Sequence, residues 1–193
     1  MRKLMFVLFA AVLCGSVFAA DIQLPVPDKK GGTPLMETLA NRRTRRAFSD
    51  KPLPLQMLSD LLWAANGISS KDGRRTAPTA RNLQELELGV LLPQGTFIYD
   101  AQNNKLIRRS AEPNKGALTI AIIWDTQKQK KLEFAAVDSG FIGQNIYLFA
   151  AANGLNSVFK ATFNRKSVTE KLKLEDHRKV LYVHTVGFPK KFL

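Results

Sequence analysis

Leu58, Leu61, Leu62 and Ala65 recur at helical spacing between Pro54 and Asn66, and Gly67 follows as a stop, so this stretch is predicted to be a helix with one apolar face. A shorter helix is expected before it, with Thr33 as N-cap, Pro34 at the first helical position and an end near Arg43. The longest helical pattern runs from 133 to 154, where Asn153-Gly154 ends it. Its Phe134, Val137, Phe141, Ile142, Ile146, Leu148 and Phe149 spread around most of the circumference, which places the helix at the centre of a domain or against a partner subunit. Asp138, Gln144 and Asn145 argue against a membrane span.

Strands are predicted for LELGVLL (86–92) and NSVFK (156–160), for a hairpin of TFIYD (96–100) and KLIRR (105–109) around AQNN, and for VLYVHTVGF (180–188). ALTIAIIW (117–124) is apolar without alternation, as expected of a strand buried on both faces. A small helix is expected near 166–172, and ISSKDGRRTAP (68–78) reads as a polar loop. Helices and strands mix without strict βαβ alternation, which predicts an α+β domain with one central sheet.

At 193 residues the chain suits one domain, and its formal net charge of +13 points to an anionic partner. Residues 1–20 have a basic start at Arg2 and Lys3, an apolar run from Leu4 to Cys14 and a small-residue end suited to cleavage after Ala19 or Ala20. That is the pattern of a secretory signal peptide, so an exported, periplasmic protein is expected, with no stable membrane insertion after cleavage. Residues 21–33 read as an extended lead-in and 34–193 as the domain. Cys14 is the only cysteine, so the mature chain would have neither a disulfide nor a thiol nucleophile. With two histidines, His177 in the charged loop EDHRK and His184 alternating with Val183 and Val186 in a strand, no metal site is expected.

The charge concentrates in NRRTRRAFSD (41–50), which carries Arg42, Arg43, Arg45 and Arg46 around Thr44. Such a run at a helix end can be a solvated face that complements the helix dipole. It can also be a phosphate site, because the guanidinium fork binds phosphate bidentately and Thr44 adds a hydroxyl. The run is short and lacks the aromatic platforms of a single-strand nucleic-acid groove, so no nucleic-acid partner is expected. A second stretch, RRTAPTARNLQ (74–84), reads as a turn at Pro78-Thr79-Ala80 leading into a polar helix start, with the amides of Asn82 and Gln84 free to meet a heteroaromatic edge.

These segments resemble those of the FMN-dependent nitroreductase-like family. Arg42 to Phe48 is similar to its Arg-basic-Ser-x-basic-x-aromatic segment, Pro78 to Gln84 to its Pro-Ser-x-x-Asn-x-Gln segment, and GQNIYLFAAANGLNSV (143–158) to its central helix, Gly-Leu-Gly-like turn and strand. The end Gly187-Phe188-Pro189 also fits, and the hairpin GTFIYDAQNNKL resembles the branch that includes thiazole and oxazole peptide oxidases. The resemblance covers about residues 34 to 190. It implies a mostly antiparallel sheet flanked by helices and an intertwined homodimer with shared FMN sites. It further implies ping-pong transfer of hydride or electrons from a small-molecule reductant to an electron-poor acceptor such as a nitroaromatic or quinone.

Carried over by position, Arg42, Thr44 and Arg46 would hold the FMN phosphate and ribityl chain, with Arg43 contributing backbone. Pro78, Thr79, Ala80 and Asn82 would reach the FMN of the other subunit. Phe159, Lys160 and Ala161 would lie along the isoalloxazine with the Ala161 N–H facing N5, and Lys190 or Lys191 would add a cation at the phosphate. No side chain stands out as a catalytic acid, base or nucleophile, as suits a reaction centred on a cofactor. The family often has an acidic residue and glycine where this chain has Ala161-Thr162, which bears on the acceptor. On the same residues, a non-catalytic flavin- or anion-binding module is the alternative.

Overall fold

The computed structural model describes residues 20–114 and 116–190; the predicted signal segment and Lys191 lie outside the described residues. In chain order the elements are β1 (Ile22–Gln23), α1 (Leu35–Asn41), α2 (Leu55–Asn66), β2 (Leu86–Leu92), β3 (Gly95–Asp100), β4 (Lys105–Ser110), β5 (Leu118–Asp125), α3 (Leu132–Ala152), β6 (Asn156–Lys160), α4 (Arg165–Leu172) and β7 (Arg178–Gly187). The seven strands form one sheet in the order β1-β4-β3-β2-β5-β7-β6. Every pairing is antiparallel. The fold class is therefore α+β, as expected.

The unbroken apolar run of β5 has a two-sided cause. Leu118, Ile120, Ile122 and Trp124 pack into the core under α2 and α3, while Ala121 and Ile123 join Leu91, Val180, Val183 and Leu172 under α4. Each fully buried aliphatic side chain contributes roughly 1.5–3 kcal/mol. β2 divides in the same way, with Leu86, Leu88, Val90 and Leu92 on the α3 side. Gly89 points the other way, where a Cβ would lie 2.6 Å from Leu172 Cδ1, so its lack of a side chain lets α4 seat on the sheet.

Two local expectations are corrected. Thr33 does not cap α1: its hydroxyl donates to the Ala152 carbonyl at the end of α3 (3.2 Å), and its own carbonyl accepts from the Thr38 hydroxyl (3.1 Å). The helix begins after Pro34 and ends at Asn41, because Arg42 turns to ψ 122°. Within the lead-in, Ile22 and Gln23 pair with Leu106 and Lys105 at the sheet edge. A helix does not start at 80: Ala80–Asn82 is one 3₁₀ turn, and Arg81, Asn82 and Gln84 all have positive φ.

α3 is apolar all round for two different reasons. Ile142 and Ile146 are fully buried against the sheet, whereas Phe134, Val137 and Phe141 remain 40%, 58% and 42% exposed. Gly89→Ala should destabilise the fold by about 1–3 kcal/mol through overpacking against Leu172, read as a lower melting temperature. An unchanged melting temperature would mean that α4 does not depend on this contact.

Candidate functional site

After α1 the chain runs extended between β6 and the C-terminal strand end. The Arg45 N–H donates to the Ser157 carbonyl (3.0 Å), the Ser49 N–H to the Phe188 carbonyl (2.9 Å) and the Lys190 N–H to the Ala47 carbonyl (3.2 Å). The Asn156 side chain donates to the Ala47 carbonyl (2.6 Å), and Phe48 bridges to Pro189. Extended backbone sends alternate side chains to opposite sides, and the arginines sort accordingly. Arg42 lies over the Tyr147 ring, 5.2 Å from its centroid, and Thr44 shares a 2.9 Å hydrogen bond with the Tyr147 hydroxyl. Arg43 and Arg45 line a separate recess of about 250 Å³ with Ala151 and Gly154. The Arg43 guanidinium donates to the carbonyls of Ala40 and Arg42 (both 2.8 Å), closing the end of α1. Among the described residues none of the four arginines has a carboxylate partner.

Tyr147 was not foreseen, although it lies in the quoted stretch GQNIY. Its hydroxyl also accepts the Phe159 N–H at 2.9 Å, so one side chain of α3 ties the arginine segment to β6. Gly143, one turn earlier, allows this contact: a Cβ there would lie 2.8 Å from the Phe159 ring. His184 packs edge-on to Tyr147 (4.5 Å between centroids) and to Phe159 (5.8 Å). It is fully buried, and among the described residues neither ring nitrogen has a hydrogen-bond partner. Burial, with the nearby Lys160 charge adding to it, lowers its pKa to about 3. Lys160 is half-buried at the end of β6, and Ala161 follows exposed. Lys190 stands beside Ala47 through its backbone bond. The structure thus gathers Arg42, Thr44 and Phe159 around Tyr147 in the second half of α3.

The segment with Pro78, Thr79, Ala80 and Asn82 is elsewhere. The Ala80 N–H donates to Asp138 Oδ2 at 2.8 Å, and Asp138 precedes Tyr147 on α3 by nine residues, about 13 Å along the axis. The two segments do not meet within one chain. Beside Asp138 lies Glu85, which has no exposed surface and no partner for either carboxyl oxygen. Burial foremost, with the Asp138 carboxyl beside it, raises its pKa to about 7.

The seven-stranded antiparallel sheet of the described residues, with its four helices, has nitroreductase-like architecture. The chain belongs to the nitroreductase family, whose profile matches residues 39–115 and 101–188. A crystallised protein of Ralstonia eutropha JMP134, a presumed nitroreductase, is 30% identical with a TM-score of 0.84, covering 90% of this chain and 91% of that one. A presumed nitroreductase of Methanocaldococcus jannaschii is 24% identical over 184 residues, 81% of this chain and 91% of its own length. A chain of the E. coli microcin synthetase McbBCD complex superposes with a TM-score of 0.67 at 16% identity, covering 96% of this chain and 85% of that one; this likeness is one of fold alone. Family and fold together are those of an oxidoreductase class consistent with flavin chemistry.

Glu85 and His184 oppose each other in the pH dependence of stability. From pH 4.5 to about 7 the folded protein keeps a proton on Glu85 that the unfolded chain releases, so stability falls as pH rises. From about pH 3 to 6.5 the unfolded chain protonates a histidine that the fold keeps neutral, so stability falls as pH drops. Their slopes cancel from 4.5 to 6.5. Glu85→Gln should break the balance: its stability relative to wild type should increase by about 1.4 kcal/mol per pH unit above pH 4.5, levelling near pH 7. Parallel stability-against-pH curves from denaturant melts would place Glu85 in contact with water.

Proposed function

We propose that the chain is an FMN-dependent oxidoreductase, exported and dimeric, that passes hydride or electrons from a small-molecule reductant to an electron-poor acceptor. The observation that carries this reading is the side of the 42–48 segment on which Arg42 and Thr44 meet Tyr147, beside Phe159 and with no carboxylate to neutralise the arginines among the described residues. Unpaired guanidinium groups with a hydroxyl between them suit a phosphate, and β6 leads from them to the exposed Ala161. Arg42, Thr44 and Arg46 would hold the phosphate and ribityl chain with Lys190, and Phe159, Lys160 and Ala161 would lie along the ring. Bound FMN would supply the redox chemistry; the protein's own residues bind and orient it and select what stacks against it.

The split between the two segments supports a shared site, in which Pro78, Thr79, Ala80 and Asn82 of one subunit complete the site of the other. So does the apolar surface. Leu35, Met36 and Leu39 of α1 are 61%, 76% and 41% exposed, and Phe134, Val137 and Phe141 near the start of α3 are exposed as well. A recess of about 600 Å³ between residues 28–33, α2 and α3, lined by Leu35, Trp63 and Leu148, continues that surface. An exported location rests on the pattern of residues 1–20.

Purified residues 21–193 should show the visible bands of oxidised flavin, alone or after FMN is added, and elute as a dimer. Arg42→Ala with Arg46→Ala should weaken FMN at least about 100-fold, since hydrogen bonds to charged groups contribute about 1.5–3 kcal/mol each, while the dimer persists. Full flavin occupancy in that double variant would refute the phosphate assignment. A flavin that binds but is neither reduced by any donor nor reoxidised by quinones would identify the non-catalytic binding module instead. Export predicts a mature N-terminus at Ala20 or Asp21 in the periplasmic fraction, whereas cytoplasmic protein retaining residues 1–20 would exclude it.

A further inference from the structure

Segment 79–84 adopts backbone that its residues do not favour and is held from outside. Arg81, Asn82 and Gln84 have φ of 59°, 53° and 50°, a region costly for residues with a Cβ. Within the loop, Thr79 Oγ1 accepts the Gln84 N–H (2.9 Å), the Gln84 amide donates to the Gly73 carbonyl (3.1 Å), and Arg75 donates to Gln84 Oε1 (3.1 Å). Lys128 reaches the Gln84 carbonyl at 3.4 Å. The anchor to α3 is the bond from the Ala80 N–H to Asp138 Oδ2. Asp138 is itself 3% exposed.

Glu85 comes directly after this segment, fully buried with both carboxyl oxygens unpartnered. A buried carboxylate without donors is costly; a protonated carboxyl costs far less. The charged groups that bear on it are Asp138 from α3, which disfavours ionisation, and Lys128 from the turn after β5, which favours it more weakly. Asp125, whose N–H donates to the Glu85 carbonyl (2.9 Å), turns its own Oδ1 to the Gln127 N–H (2.8 Å). Its own backbone N–H and Lys128 favour the charge, but burial outweighs them, and neither carboxyl oxygen has a hydrogen-bond partner among the described residues.

We propose that Glu85 and Asp138 are paired positioning residues for segment 78–84. With a proton on Glu85, Asp138 accepts the Ala80 N–H and holds the segment in the shape that would meet the flavin. When that proton leaves to solvent, two buried carboxylates face each other, and the strained segment releases. Neither residue touches the ligand. The flavin part rests on the function proposed above; the carboxyl pair rests on the complete burial of Glu85, its unpartnered oxygens and the Ala80–Asp138 bond.

The test uses residues 21–193 as wild type, Glu85→Gln and Asp138→Asn. FMN affinity is read from quenching of flavin fluorescence, and amide exchange of a peptide spanning 76–86 is read in flavin-free protein after correction for intrinsic pH dependence. In wild type, affinity should fall at least about tenfold between about pH 6 and about pH 8.5, and corrected exchange should rise over the same range. Glu85→Gln should flatten both profiles. Asp138→Asn, which keeps an acceptor oxygen but no charge, should flatten them as well and stands in if Glu85→Gln does not fold. A pH-dependent exchange profile that Glu85→Gln abolishes, in a protein that binds no FMN, would sustain the carboxyl pair and refute the flavin reading. Flavin binding and exchange with the same pH profile in wild type and Glu85→Gln would overturn the pair and leave the flavin reading standing.

Discussion

The Tyr147 hydroxyl is bonded on one side to Thr44 and on the other to the Phe159 backbone, and both bonds reach across the structure from a single turn of α3. The hydroxyl has one proton and two lone pairs, so it can serve both partners at once. The extended arginine segment has few side chains of its own to bury. Its position comes from this bond and from backbone bonds to β6 and the chain end, which clamp it between two strands that already belong to the sheet. Gly143 is the complement of Tyr147: one turn earlier on the same helix, it leaves the space that the Phe159 ring occupies. A helix that supplies a hole at one turn and a hydroxyl at the next fixes the strand that follows it more firmly than hydrophobic contact alone would, because hydrogen bonds are directional and dispersion is not.

α3 therefore does more than cover the sheet. Its first half holds segment 78–84 through Asp138, and its second half holds the arginine segment through Tyr147. The helix is rigid over that distance because Ile142 and Ile146 are fully buried between the two points. The two polar segments are thus kept apart along one rod of helix by about 13 Å. The same rod displays Phe134, Val137 and Phe141 on its outer face. In the dimer proposed above, a twofold pairing of such helices would bring the far end of one beside the near end of the other.

Much of the fold was legible because it is written locally. LELGVLL and NSVFK became strands with the expected bounds, and the apolar face of residues 58–65 became the buried face of α2. The order of strands was not legible, since β7 enters between β5 and β6 through pairings between residues distant in sequence. β1 has two residues, too few to show a period. The left-handed residues at 81–84 carry no glycine, the usual signal for that backbone. Glu85 lies in QELEL, where alternation places it with the solvent-facing positions; its burial comes from α3, which local pattern does not describe. Tyr147 was hidden for the converse reason: in a helix apolar all round, a tyrosine looks like one more packing residue.

The arginine run divides into two sides once its residues are separated. Arg43 spends its donors on the carbonyls that end α1, which is the structural role of a cation at a helix C-terminus. Arg42 lies on the other side, over an aromatic ring whose hydroxyl is already engaged by Thr44 and Phe159. A guanidinium stacked on a ring keeps its in-plane N–H groups free to donate. Extended backbone is what makes the division possible, since a helix would have fanned consecutive arginines around its circumference. The turn out of α1 at Arg42 is thus the point where a run of like charge becomes a one-sided site. The bonds from Arg45, Ala47 and Ser49 to β6 and the C-terminal strand keep it so.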